Sequence, residues 1–223
     1  MNRTVLSIVA VAALASGSAR ADDARDFIVE AKLFYRVVAC GGSDPVPAAL
    51  DAPTVDKHCV EMAKRYKAFA DKYAAPASAF FESVRPKNLP TTIVYPFGGG
   101  DLASALVTFS DAREITTISL EHAGDPTRLV TLDKKRLASA LYNFRAAIEG
   151  LLELHDSTSE NMRKLESGGI PGQLAFHITG MTANGYEPVS LKFFLDHPFG
   201  VAPEPYDPLP SGFPSYCKLD GPG

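Results

Sequence analysis

The chain has no tryptophan, only three cysteines and no excess of positive charge. Beyond its first residues it has no apolar run long enough to cross a bilayer. Each absence removes a class of function. With 22 Lys and Arg against 26 Asp and Glu, the net charge is −4, which excludes the basic face that binding to a phosphate backbone requires. There is no Cys-x-x-Cys, and the sole adjacent Cys/His pair is His58-Cys59, so a zinc ribbon has no ligand set. No Gly-x-Ser-x-Gly is present to form a nucleophile elbow, and no glycine loop runs into Lys-Ser or Lys-Thr as in a P-loop. What remains, at 223 residues and 46% hydrophobic, is the composition of a packed globule, with one domain or one domain and a small cap.

The first 21 residues read as an export signal. Arg3 gives the positive start, Val5 to Ala15 the apolar stretch, and Ala19-Arg20-Ala21 the small-x-small pattern for cleavage near Ala21. Cleavage removes Arg3 and Arg20 and no acid, so the exported protein is more acidic still. The expected location is periplasmic or secreted, with no membrane span left after processing. Export makes Cys40 and Cys59 a predicted disulfide, since they bracket a loop containing Gly41, Gly42, Pro45, Pro47 and Pro53. Closing a loop of that size stabilises a fold by about 3 kcal/mol. Cys217, in a Pro/Gly-rich tail, stands as the alternative partner of either.

Phe27, Ala31, Phe34 and Val38 recur at helical spacing, predicting a helix from Asp22 to Cys40. A second runs from Asp56 to Tyr73 and should end at Pro76, which lacks the N–H to continue it. Residues 22–90 are therefore read as a helical hairpin region. The pattern then changes to strand (Thr91–Tyr95), glycine turn, helix (Leu102, Ala105, Leu106, Phe109) and a second β-branched strand (Ile115–Leu120), with Asp101 placed to cap the helix. Two strands joined through a helix imply parallel pairing. Leu137 to Leu151 predict a long helix covering a sheet. Ser157 and Glu160 form a capping box for a short helix. Ile170 to Gly185 reads as a helix by its stripe Leu174, Ile178 and Met181, or as a hairpin by the alternation of Leu174, Phe176 and Ile178; a strand follows at Val189–Leu195. Leu129–Thr131 is a further candidate strand. The fold predicted is α/β: a small Rossmann-like, mostly parallel sheet over residues 91–196 with the N-terminal helical hairpin against it, and a Pro-rich irregular tail at 197–223.

Ligands in open α/β sheets sit beyond the carboxyl ends of the strands. Gly98, Gly99, Gly100 and Asp101 fall at one such end, and Glu121, His122 and Asp125 at its neighbour. A glycine turn opening a helix, with an acid about 20 residues on, places a phosphate or other anion at a helix N-terminus and a carboxylate on a ribose, so Gly98, Gly99, Gly100, Asp101 and Glu121 are the candidate ligand-binding set. The string Tyr95-Pro96-Phe97-Gly98-Gly99-Gly100-Asp101 with Ser119-Leu120-Glu121 is similar in layout to the first half of class I methyltransferase-like Rossmann domains. Over about Thr91 to Leu195 it also resembles uncharacterised bacterial exported proteins with a YPF-glycine-Asp segment. The first resemblance implies a nucleoside-binding glycine loop; neither implies an activity, and no cofactor is assigned.

Three functions stay open: a small-ligand-binding or catalytically degenerate Rossmann-like domain; a metal-dependent hydrolase using Asp101, Glu121, His122 and Asp125; and a protein-interaction module built on the helical hairpin and the tail. His155 and His197 read as helix-end and loop residues, and His177 as a satisfied buried one.

Overall fold

The computed structural model describes residues 25–95, 101–117, 123–152, 165, 169–170, 172–195, 204–205 and 217–220. The export signal and the predicted capping box at Ser157 and Glu160 lie outside the described residues. The protein mixes helices with short strands, and no helix among the described residues is long and apolar enough to cross a membrane.

Helix α1 (Ile28–Val37) buries Ala31, Phe34 and Val37. It begins later than Asp22 because the preceding residues are engaged elsewhere: Phe27 N–H donates to the Leu191 carbonyl (2.7 Å), and Asp26 accepts from the Leu191 N–H (2.9 Å) and the Ser190 hydroxyl (3.0 Å). Helix α2 (Ala52–Phe69) opens four residues before Asp56, where Asp51 accepts a cap bond from the Thr54 N–H at 3.2 Å and Pro53 takes a first-turn position.

Pro76 does not end this helical rod. A π-helical turn (Ala70–Ala74) follows α2 directly and leads into α3 (Ala75–Val84), with the Ala75 N–H bonded to the Ala70 carbonyl five residues back. The widened turn resets the hydrogen-bond frame so that Pro76 falls at the start of α3, where its missing N–H is of no consequence.

Nor do α1 and α2 form a simple hairpin. Helix α2 packs along α5 (Lys134–Leu152), while α1 packs on α6 (Gly172–Ala183), on the 3-10 turn Pro126–Thr131 and on the strand after α6. The end of α1 is held to α2 by the Cys40–Cys59 disulfide, the Tyr66 hydroxyl donating to the Ala39 carbonyl (2.6 Å), His58 Nε2 against the Val38 carbonyl (2.8 Å) and the Arg36–Asp56 ion pair (3.9 Å). Cys40 itself has φ +63°, the left-handed turn that brings the chain out of α1. The pairing of Cys40 with Cys59 is thus as the spacing predicts, and it leaves Cys217 without a partner cysteine in the chain.

Helix α5 leans on α2 rather than on a sheet, with Leu137, Leu141, Phe144, Ile148 and Leu152 buried. The ambiguous segment is α6, and the ambiguity has a physical cause. The helix is central: Leu174, Phe176 and Ile178 are all buried although they lie on different sides of it, because α1 covers one face and the helix Leu102–Thr108 (α4) another.

The strands β1 (Thr92–Tyr95) and β2 (Glu114–Thr117) pair in parallel through α4 (Leu102–Thr108), in register Ile93 to Ile115 and Tyr95 to Thr117. Leu129–Thr131 belongs to the 3-10 turn and not to a strand. Strand β3 (Ser190–Leu195) does not extend the parallel pair. It lies between β4 (Glu204–Pro205) and β5 (Cys217–Asp220), antiparallel to both. Parallel sheet is therefore confined, among the described strands, to β1 and β2. The chain distance from Leu195 to Glu204 suits an antiparallel return and is too short for a crossover. Two stretches of the Pro-rich tail are thus paired as outer strands, where proline and unpaired backbone are tolerated.

Candidate functional site

Strands β1 and β2 end side by side. Alternation puts Ile93, Tyr95, Ile115 and Thr117 on the half-buried face of the pair, with Thr92, Val94, Glu114 and Thr116 in solvent. Tyr95 and Thr117 are consequently neighbours at the carboxyl ends, where parallel sheets bind ligands.

Helix α6 brings the next residues to this end. Gln173, His177, Gly180 and Asn184 fall on one stripe of it. At Gly180 the stripe meets α4 backbone to backbone, since a Cβ there would stand 3.0 Å from the Ala103 nitrogen, and the Asn184 side-chain amide donates to the Ala103 carbonyl (3.2 Å). Further along, His177 Nε2 lies 3.2 Å from the Thr117 hydroxyl. Its Nδ1 lies 3.0 Å from the Gln173 carbonyl and 3.1 Å from the Gln173 amide. The arrangement is a hydroxyl, an imidazole and an amide in sequence, with both ring nitrogens engaged. Gln173 is buried, and its Oε1 has no hydrogen-bond partner among the described residues.

Asp101 stands at the N-cap position of α4, but its side chain makes no cap bond, contrary to the sequence expectation. The backbone there is helical (φ −85°, ψ −1°) instead of extended, which takes the carboxylate away from the first-turn N–H groups. The group is half-buried, and desolvation raises its pKa. The Tyr95 phenol is raised too, first by burial and then by the nearby Asp101 carboxylate and Tyr73.

Asp125 does act as a cap. Its Oδ1 accepts from the Thr127 N–H (2.8 Å) and hydroxyl (2.6 Å) at the head of the 3-10 turn. Gly98, Gly99, Gly100, Glu121 and His122 lie outside the described residues. Among those described, no three His, Cys, Asp or Glu side chains come together as a metal ion requires. The sequence reading named Asp101 as a candidate, did not single out Thr117 or Gln173, and read His177 as a satisfied buried residue, in keeping with its two engaged ring nitrogens. The available signal was the polar stripe 173, 177 and 184 on an otherwise apolar helix.

A second polar cluster centres on a buried histidine. His58 is fully buried in α2, with Nε2 on the Val38 carbonyl and Nδ1 3.0 Å from the Arg145 guanidinium. Arg145 can only donate, so Nδ1 accepts and the proton resides on Nε2. Burial, opposed by the Val38 bond and aided by the charges of Arg145 and Arg65, pushes the imidazole pKa down to about 4. The Tyr66 phenol, by contrast, is raised by burial. These groups hold α1, α2 and α5 together, beside the disulfide.

No protein-family model, no curated protein and no solved structure matches the chain. The site is therefore read from its own geometry.

Proposed function

We propose that the protein is an exported small-ligand-binding protein whose site lies at the carboxyl ends of β1 and β2. The observation that carries this is the joining of Thr117, His177 and Gln173 from two separate elements at the end of β2. The β1–α4–β2 unit is also the building block of Rossmann-like sheets, which supports that scaffold for the ligand site. Export is supported by the leader pattern and the Cys40–Cys59 bridge.

The test is a thermal-shift panel of nucleotides, S-adenosyl compounds, sugars, amines and divalent metals, because a ligand specific to the native state must raise the transition temperature. A shift lost in Asp101→Ala and Thr117→Val supports the site, and a panel without any shift refutes it. A metal shift abolished by both Asp101→Ala and Glu121→Ala would replace this reading with the hydrolase.

A further inference from the structure

Polar contacts recur along the seam between α2 and α5. Lys134 meets Asp51 (3.0 Å), Arg145 meets His58 (3.0 Å) and Glu149 meets Arg65 (3.4 Å), so the partners advance together along both helices and the pair runs parallel. On α2 and its cap, Asp51, His58 and Arg65 stand seven residues apart and alternate with the buried Val55, Met62 and Phe69. Each polar contact thus interrupts an apolar stripe. Polar groups set into such a stripe cost stability, and their best-attested uses are to fix register or to serve as a switch.

Each of these contacts fails in acid. Protonation takes the charge from Asp51 and Glu149 and so releases Lys134 and Arg65, but each of these pairs has one exposed partner and is weak. The central contact is buried and fails by reversal. Nε2 of His58 donates to the Val38 carbonyl while Nδ1 accepts from the Arg145 guanidinium, so a proton can enter only at Nδ1. It turns the acceptor into a donor that faces a donor, and sets two positive charges at hydrogen-bond distance away from water. The surrounding groups offer no relief. On α2, Glu61 is held by Lys64 (2.6 Å) and Arg65 adds positive charge; on α5, Glu149 is held by Arg65, and the Arg145 guanidinium lies over the Tyr142 ring (5.8 Å); beside the end of α1, Arg36 is paired with Asp56 (3.9 Å).

The joint between α1 and α2 survives the same change. The exposed Arg36–Asp56 pair weakens, but an imidazolium still donates to the Val38 carbonyl, and neither the Tyr66 bond to Ala39 nor the Cys40–Cys59 bridge depends on an acidic group. We infer that the α2–α5 seam is an acid-operated switch, in which protonation of His58 drives Arg145 off Nδ1 and parts α5 from α2 while the disulfide-bonded joint keeps α1 on α2.

The experiment is amide hydrogen exchange of the disulfide-intact protein, read peptide by peptide by mass spectrometry at about pH 7 and about pH 4 and corrected for the pH dependence of intrinsic exchange. Expected at the lower pH is a loss of at least about tenfold in the protection of α5, regained on return to the higher pH, with α1 keeping its protection. His58→Gln keeps both bonds without titrating and should hold α5 protected in acid. Arg145→Gln removes the opposing charge and should do the same, which keeps the test decisive if the first variant does not fold. Unchanged protection of α5, equal loss in α1 and α5, or a folded variant that loses α5 protection as the parent does overturns the inference.

Discussion

Replacing His58 by glutamine should remove a specific part of the protein's acid sensitivity. The folded chain keeps the imidazole neutral down to about pH 4, whereas the unfolded chain protonates it near 6.5. Between those values the unfolded state binds more protons, so stability falls as pH is lowered through the window and is fully present above it. From about pH 7 to about pH 5 the linkage amounts to about 2 kcal/mol. The direction is the reverse of a histidine that gains an acidic partner, because burial disfavours the imidazolium and the charges acting on it, Arg145 at Nδ1 and Arg65, are positive.

Glutamine can donate its amide to the Val38 carbonyl and accept from Arg145, but it does not titrate. Urea unfolding followed by circular dichroism, with the disulfide intact, gives the stability of both proteins at each pH. The gap between them should change by about 2 kcal/mol from about pH 7 to about pH 5, in favour of His58→Gln. Other titrations cancel in that difference. Asp51 and Glu61, both lowered by hydrogen bonds and nearby lysine, lose their contributions at lower pH, and Asp101, raised by burial, acts in the opposite sense. Parallel stability–pH curves for parent and variant would refute the reasoning, since they would mean that His58 takes up its proton without loss of structure.

Opening the Cys40–Cys59 bridge by Cys40→Ser with Cys59→Ser should cost about 3 kcal/mol in the chain-entropy estimate, measured by urea midpoint. Thiol titration of the unfolded, unreduced parent should find Cys217 alone free. Gly180→Ala should lower stability even though alanine is favoured over glycine within a helix by about 1 kcal/mol, because the added methyl meets the Ala103 backbone nitrogen and a backbone atom cannot turn aside. A gain in melting temperature would mean that α4 and α6 separate freely. Asp125→Ala should cost about 1 kcal/mol by losing its cap bonds, whereas Asp101→Ala should cost no cap energy at all, so the two melting curves distinguish a capping aspartate from one that is not.

Local patterns in the sequence carried the elements well and their assembly poorly. The strand–helix–strand unit at β1–α4–β2, its parallel pairing, the Cys40–Cys59 bridge, α6 and β3 all follow from spacing, β-branched runs and turn residues close in the chain. Three readings failed for non-local reasons. Pro76 was expected to stop a helix, but a π turn absorbs it, and the wider turn leaves no trace in hydrophobic periodicity. Helix α5 was expected to cover a sheet, yet a single apolar stripe fits a helix partner equally well. Strand β3 was assigned to a mostly parallel sheet, but its neighbours come from the tail beyond Leu195, whose prolines ruled out a central strand and are compatible with outer ones.

The site divides along the same line. Asp101 was legible because a strand, a turn and a helix in direct succession fix its place. Its role was misread because capping preference assumes an extended N-cap backbone, and here the helical backbone turns the carboxylate elsewhere. His177 was the converse case. Its surroundings on α6 are apolar, which favours a packing role in isolation, and its partner Thr117 lies 60 residues away. Yet Gln173, His177 and Asn184 share one face with Gly180, and a central helix can bury such a stripe only if another element supplies polar atoms and a close backbone approach. Polar residues at helical spacing around a glycine, on a helix apolar elsewhere, therefore signal a docking partner with matching hydrogen-bond groups. In this protein that partner is the end of β2 together with the start of α4.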